Sequence, residues 1–288
     1  MGKKRRRSSR RRPARRRVLG VALLMDELDL ETMREYDSFE FSDYDTYLAT
    51  CEREMRIMRR AGRVVAETFD PVEYREFCRE MELEADDPGS RARYAALVCE
   101  EGDPLPYRGE PIEEFVAALA GRERLRAMSF RIEALLLDVP VGRVMEAEDY
   151  ATDIFLWLLS RGGAGLHVFT CHVGGEEGDP LEIVAEVEIR RNEMMLHGEA
   201  PLVLSQMLTL ARATGTPGSL IMRSMTRRID PATGWPVKIV RGWFIGNGEI
   251  SPLSGKEIRT ASCTDQRTGD ALPPEPAVEY VDAPHYRP

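Results

Sequence analysis

Two short stretches carry residue types that hold metals and move protons. His197-Gly198-Glu199 sets an imidazole and a carboxylate two positions apart, just ahead of the apolar helix-forming run Pro201–Ala213. With that spacing the imidazole can ligate a metal while the carboxylate moves a proton at the same centre. His167 and Cys171 stand four apart in a run with strand character, so they share a face, and His172 points the other way. Joined by His197, they are the residue types of a metal site or a Cys–His nucleophile pair. Extended chain, however, separates positions i and i+4 by roughly 13 Å, too far for one metal or one proton transfer. His167 and Cys171 are therefore expected to fill one layer of a sheet beside Phe169.

The tripeptide at His197 resembles the H-x-E element of zinc-dependent nucleoside and nucleic-acid deaminases, in which the His ligates zinc and the Glu transfers protons. That family completes its site with P-C-x-x-C. Here the downstream thiol is Cys263 in Ser262-Cys263-Thr264-Asp265, with no Pro before it and no second Cys. A degenerate deaminase built on His197, Glu199 and Cys263 is thus a weak alternative, because two protein ligands do not make a tetrahedral zinc site. No metal and no cofactor are expected. Gly248 to Gly255-Lys256-Glu257 looks like a phosphate loop, but six residues lie between the glycines and Glu stands where Ser or Thr must hold magnesium. The Lys is also expected to follow a Pro/Gly-rich turn instead of opening a helix. Glu176, Glu177 and Asp179 read as a solvated turn. The expectation is a protein without an active site.

A third cluster is basic. Arg223, Arg227, Arg228, Lys238 and Arg241 share a segment whose one acid is Asp230, and Trp235, Trp243 and Phe244 interleave with them. If Ile229 faces Val237 across a hairpin, Arg223 lies opposite Trp243 on one face, a cation–π arrangement able to follow a phosphate backbone or stack on bases. The competing expectation is that these arginines pair with acids of the N-terminal half.

The charge distribution sharpens that question. Residues 1–24 carry eleven Lys or Arg and no acid, residues 25–128 carry 14 basic and 27 acidic side chains, and residues 129–288 carry 15 and 22. A basic tail, able to bind nucleic acid by counterion release, thus precedes a body of net −20 within a chain of net −9. Anionic lipid would hold such a tail weakly, and Met25 offers an alternative start. The apolar stretch Val18–Met25 runs straight into Asp26, Glu27 and Asp29, unlike an export signal. Of the 40 basic residues only Lys3, Lys4, Lys238 and Lys256 are Lys, a skew typical of a high-GC bacterial genome. Five scattered cysteines without a CxxC pair point to a reducing cytoplasm. No apolar run approaches the ~18 residues of a membrane span, so no integral membrane association is expected.

The elements that would carry these residues divide the chain. Asp70-Pro71 and Asp87-Pro88 each read as an N-cap followed by Pro at the first helical position. Helices are expected from Ser42 to about Arg60, after Asp70, after Asp87 and from Pro111, with a short strand over 63–69. Beyond Arg161-Gly162-Gly163 the period becomes two: Leu181, Ile183, Ala185, Val187 and Ile189 alternate with Glu182, Glu186, Glu188 and Arg190, the pattern of an antiparallel strand with one wet face. The fold class expected is α+β: a basic disordered tail (1–24), an acidic, mainly helical domain (25–128), an α+β domain with antiparallel hairpins (129–270) and a Pro-rich C-terminal tail (271–288). The function expected is that of a non-catalytic cytoplasmic accessory protein with an unknown protein partner. The alternative is a nucleic-acid-associated protein using the tail and the Arg223–Arg241 hairpin.

Overall fold

The structure, a computed structural model, describes residues 17–174, 179–191, 193–264, 268 and 270–287. Among them the chain forms eight helices and ten strands, an α+β fold. It divides into two compact units, one ending at Glu123 and one running from Arg124 to the C-terminal end.

The first unit runs β1 (Val18–Leu23), α1 (Glu27–Met33), α2 (Tyr44–Ala61), β2 (Arg63–Thr68), α3 (Pro71–Glu80), α4 (Pro88–Glu101), β3 (Leu105–Pro106) and the first part of α5 (Ile112–Leu136). Both Asp-Pro caps form. Asp70 accepts from the backbone N–H of Val72 and Glu73, Asp87 from that of Ser90, and each Pro occupies a position whose missing N–H costs nothing. Helix α2 begins one residue later than expected, with Asp43 as the cap accepting from Thr46 N. The apolar stretch assigned to the tail is instead a strand. β1 pairs in parallel with β2 from Val18↔Arg63 to Leu23↔Thr68, and β3 adds antiparallel to β2. The physical reason is that Val18–Leu23 has strand propensity and its end must be buried: Leu23 and Leu24 sit in a core with Met33, Met55, Phe69, Tyr74 and Phe115. Gly62 permits the pairing to start where it does, since a Cβ there would overlap the carbonyl of Arg17.

The second unit takes the remainder of α5, then α6 (Val141–Gly162), β4 (Gly165–Val173), β5 (Leu181–Arg190), β6 (Glu193–His197), α7 (Ala200–Thr214), β7 (Gly218–Ile229), β8 (Pro236–Gly246), β9 (Glu249–Pro252), α8 (Gly255–Ser262) and β10 (Val278–Tyr280). The seven strands form one sheet in the order β10-β8-β7-β4-β5-β6, with β9 beside β8. All pairings are antiparallel except that of β10 with β8. The alternation read in β5 holds, and its apolar side joins Phe169, Cys171, Leu220, Met222 and Trp243 beneath α6 and α7. The Pro-rich end expected as a tail is pinned to the sheet. β10 lies along Lys238–Val240, and Trp243 Nε1 donates to the carbonyl of Pro284 at 3.0 Å. No helix among the described residues is long and apolar enough to cross a membrane.

Deleting residues 1–16 is expected to leave the thermal unfolding of the first unit intact, whereas deletion through Leu24 removes a strand and two buried leucines, each worth about 2–5 kcal/mol. Differential scanning calorimetry of the two truncations checks this. A cooperative first-unit transition in the longer deletion would show that β1 is dispensable.

Candidate functional site

The residues singled out as a metal centre do not converge. His197 ends β6, where it faces Glu186 across the strand pair and approaches Glu188 at 3.6 Å. Glu199 stands at the N-terminal end of α7 without making a side-chain cap. Cys263 closes α8, which packs against β8 and β10 at the far side of the sheet from β6. Four strand spacings of roughly 4.8 Å separate β8 from β6, so His197 and Cys263 cannot share a metal. The deaminase-like arrangement is corrected on that ground. Lys256 also differs from expectation, since it does open a helix, α8. That helix end is already occupied: Ser254 and Glu257 form a capping box and Gly255 N donates to Asp282. Glu176 and Glu177 lie outside the described residues.

His167 is a satisfied core residue. Its Nε2 donates to the Gly163 carbonyl at 2.9 Å, which leaves Nδ1 to accept from the Ser224 hydroxyl at 3.0 Å. Burial holds the imidazole below the usual histidine range, although the bond to Gly163 works the other way. Cys171 is buried in apolar surroundings that push its thiol up to about 12, so it is no nucleophile.

The basic hairpin exists, but its register differs. Ile229 pairs with Pro236, a bulge follows between Met225 and Ile229, and Arg223 faces Val240. Trp243 therefore lies on the opposite face from Arg223, paired with Leu220 and fully buried, where it cannot stack on a base. Arg241 shares that inner face beside Met222 and is half-buried, which disfavours its charge. Arg228 pairs with Glu279 and Lys238 with Glu275, both from the C-terminal strap and not from the N-terminal half. Arg227 is exposed near the bulge. The hairpin is a structural part of the sheet.

A different basic site emerges in the first unit. Arg56, Arg59 and Arg60 lie on one side of the last turns of α2 because positions three and four apart are neighbours. Arg63 opens β2, and Arg108 follows β3. With Tyr107, Gly62 and Val18 they line an open cleft of about 790 Å³. All five guanidinium-bearing side chains are exposed. Arg56 pairs with Glu52 at 2.8 Å, while the guanidinium groups of Arg59, Arg60, Arg63 and Arg108 have no ion pair among the described residues, although the backbone N–H of Arg108 donates to the Glu110 carboxylate at 2.8 Å. The carbonyls at the end of α2 favour cations there, by typically 0.3–1 kcal/mol each, and Arg59 lies over the Tyr107 ring, its Cζ 5.8 Å from the centroid. Gly109, at φ +105°, leaves room for it, since a Cβ there would overlap the Arg59 guanidinium. Arg63 N donates to the Arg17 carbonyl at 2.9 Å, so the chain enters β1 at the rim of the cleft, and residues 3–16 ahead of it in the sequence include ten Lys or Arg.

The run Arg56–Arg63 was readable as sequence; that Arg108 returns beside it was not. Its only linear signal is a group of arginines in a segment of net −13. Residues 5–110 match a family model described as a domain of unknown function (DUF8829), and all the cleft arginines fall within those bounds. No curated protein and no solved structure matches the chain.

Because the folded state disfavours protonated His167 while the unfolded chain accepts the proton near pH 6.5, its contribution is complete above that value and is lost as pH falls below it. The difference in urea midpoint between the parent and His167→Gln is expected to shrink from pH 7 to pH 5. A constant difference would mean that His167 is not held neutral.

Proposed function

We propose that the protein is a non-catalytic nucleic-acid-binding accessory factor. It grips phosphate backbone in the cleft of Arg56, Arg59, Arg60, Arg63 and Arg108, and the basic N-terminal segment extends the grip. The observation that carries this reading is the convergence of five arginines, four with no side-chain ion pair among the described residues, from two separate chain segments of an otherwise acidic unit. Like charges brought together at a surface cost free energy unless an anion offsets them. Arginine is also suited to phosphate, since its planar fork makes paired hydrogen bonds. The adjacency of Arg17 to Arg63 supports joining the basic segment to the same surface. Contacts of this kind position a duplex or single strand without reading its sequence. The five described cysteines are all free thiols, which supports action in the cytoplasm.

A second reading, an accessory factor for a protein partner, is favoured by Phe130, Leu137 and Val141 near the turn between α5 and α6, which are 74%, 83% and 75% exposed. Large apolar side chains grouped at a surface are typical of interaction sites.

Fluorescence anisotropy with labelled duplex DNA, single-stranded DNA and RNA between about 50 and 200 mM salt tests the first reading. Each phosphate contact contributes roughly 0.7–0.9 to the slope of log affinity against log salt. Substituting Arg59, Arg60, Arg63 and Arg108 together with Ala is expected to lower that slope by about 3. Deletion of residues 1–16 lowers it further. An unchanged slope in the four-Arg variant would exclude the cleft, and binding lost only on deleting residues 1–16 would assign it to the tail alone. The second reading predicts a protein partner that survives nuclease during affinity purification and is lost with Leu137→Asp.

A further inference from the structure

The first unit contains a second hollow of opposite character. Between α2 and α4, over the face of β1, lies a pocket of about 350 Å³, at the low end of the roughly 300–1,000 Å³ usual for small-molecule sites. It shares no lining residue with the arginine cleft. Four aromatic rings line it: Phe39, Phe41, Tyr47 and Phe69. They are fixed against one another, with Phe39 and Phe41 5.0 Å apart between centroids and Phe41 edge-on to Tyr47 at 5.2 Å. Tyr47 is anchored further because its hydroxyl accepts from Leu24 N at 3.0 Å. An aromatic wall held this way needs little reordering to receive a ligand.

The pocket has one cation among its lining residues, Arg91 on the first turns of α4. Its Nη2 donates to the Ser38 hydroxyl at 2.8 Å and to the Ser38 carbonyl at 3.2 Å, and the guanidinium lies 5.9 Å from the Phe39 ring centroid. Ser38 is in turn held by Asp86, whose carboxylate accepts from its hydroxyl at 2.6 Å and from its N–H at 2.9 Å. The guanidinium is thus clamped on one edge. Its Nη1 is closed off from solvent and has no acceptor. Buried donors without a partner are rare in folded proteins, and a bound acceptor is one way to satisfy such a group. The one carboxylate lining the pocket, Glu54, is exposed and stands two turns along α2 from Tyr47.

We infer that this pocket binds a small aromatic carboxylate, its ring against the wall formed by Phe39, Phe41 and Tyr47 and its carboxylate on Arg91. The aromatic lining selects the body of the ligand, the volume limits it to one or two fused rings, and the clamped guanidinium with its unused donor selects the anionic head. The inference is independent of nucleic-acid binding, because no residue is common to the two sites. All the lining residues named here also lie within residues 5–110.

Isothermal titration of the full chain with 2-naphthoic acid and with 2-naphthylmethanol separates the ring from the charge. The acid is expected to bind at least about 10-fold more tightly than the alcohol, as a charge-assisted hydrogen bond requires. Arg91→Met should bring the acid down to the level of the alcohol. Thr50→Trp, which places a ring inside the pocket, should abolish both without altering nucleic-acid affinity, and it decides the matter if the Arg91 variant does not fold. Equal binding of acid and alcohol, no binding at millimolar ligand, or acid binding that survives Thr50→Trp overturns the inference.

Discussion

The parallel pairing of β1 with β2 organises the N-terminal unit. It brings Arg17 alongside Arg63 and buries Leu23 and Leu24 against the helices. It also lays Val21 and Ala22 down along one wall of the aromatic pocket. Two strands running the same way put both starts at one end. That end carries the arginines, while the other leads into Asp26 and Asp70, the caps of α1 and α3. Each charge is placed where the backbone favours it: acids at helix starts, and Arg59 and Arg60 at the end of α2. The unit is therefore polarised by its topology, although its net charge is strongly negative.

The second unit uses polar groups differently. Its sheet places Arg241, Trp243 and His167 on the side packed beneath α6 and α7, and it satisfies two of them with internal partners, Pro284 for Trp243 and both Gly163 and Ser224 for His167. The basic residues on its rim, Arg228 and Lys238, are neutralised by the returning C-terminal strap. Residue types that read as chemistry in the linear chain serve here to hold a β-sheet together. An imidazole with both nitrogens engaged and a fully buried indole have no capacity left for a ligand.

Local signals carried much of the architecture. The Asp-Pro caps and the alternation of β5 each follow from backbone chemistry within a few residues, and each appears in the structure as the pattern implies. Register was harder. Ile229 pairs with Pro236 instead of Val237, and since side chains alternate along a strand, that one-residue difference put Arg223 on the face opposite Trp243, while the bulge between Met225 and Ile229 displaced the pairing further without changing the face. Nothing in the residues around Asp230 marks the bulge. The apolar run Val18–Leu23 was likewise ambiguous, because a short hydrophobic stretch beside a basic one has no period to reveal its partner.

By itself the amino-acid sequence determined the α+β class, the Asp-Pro helix starts, the two faces of β5 and the unequal spread of charge, all properties of neighbouring residues. Only the tertiary structure decided which charges meet. Arg108 joins Arg56–Arg63 because β3 returns along β2, and Arg91 reaches the aromatic cluster because α4 packs against β1. His197 and Cys263 are kept apart because strand order sets them on opposite sides of one sheet. Such contacts depend on long-range pairing, whose free energy is spread over many residues and leaves no short motif to read.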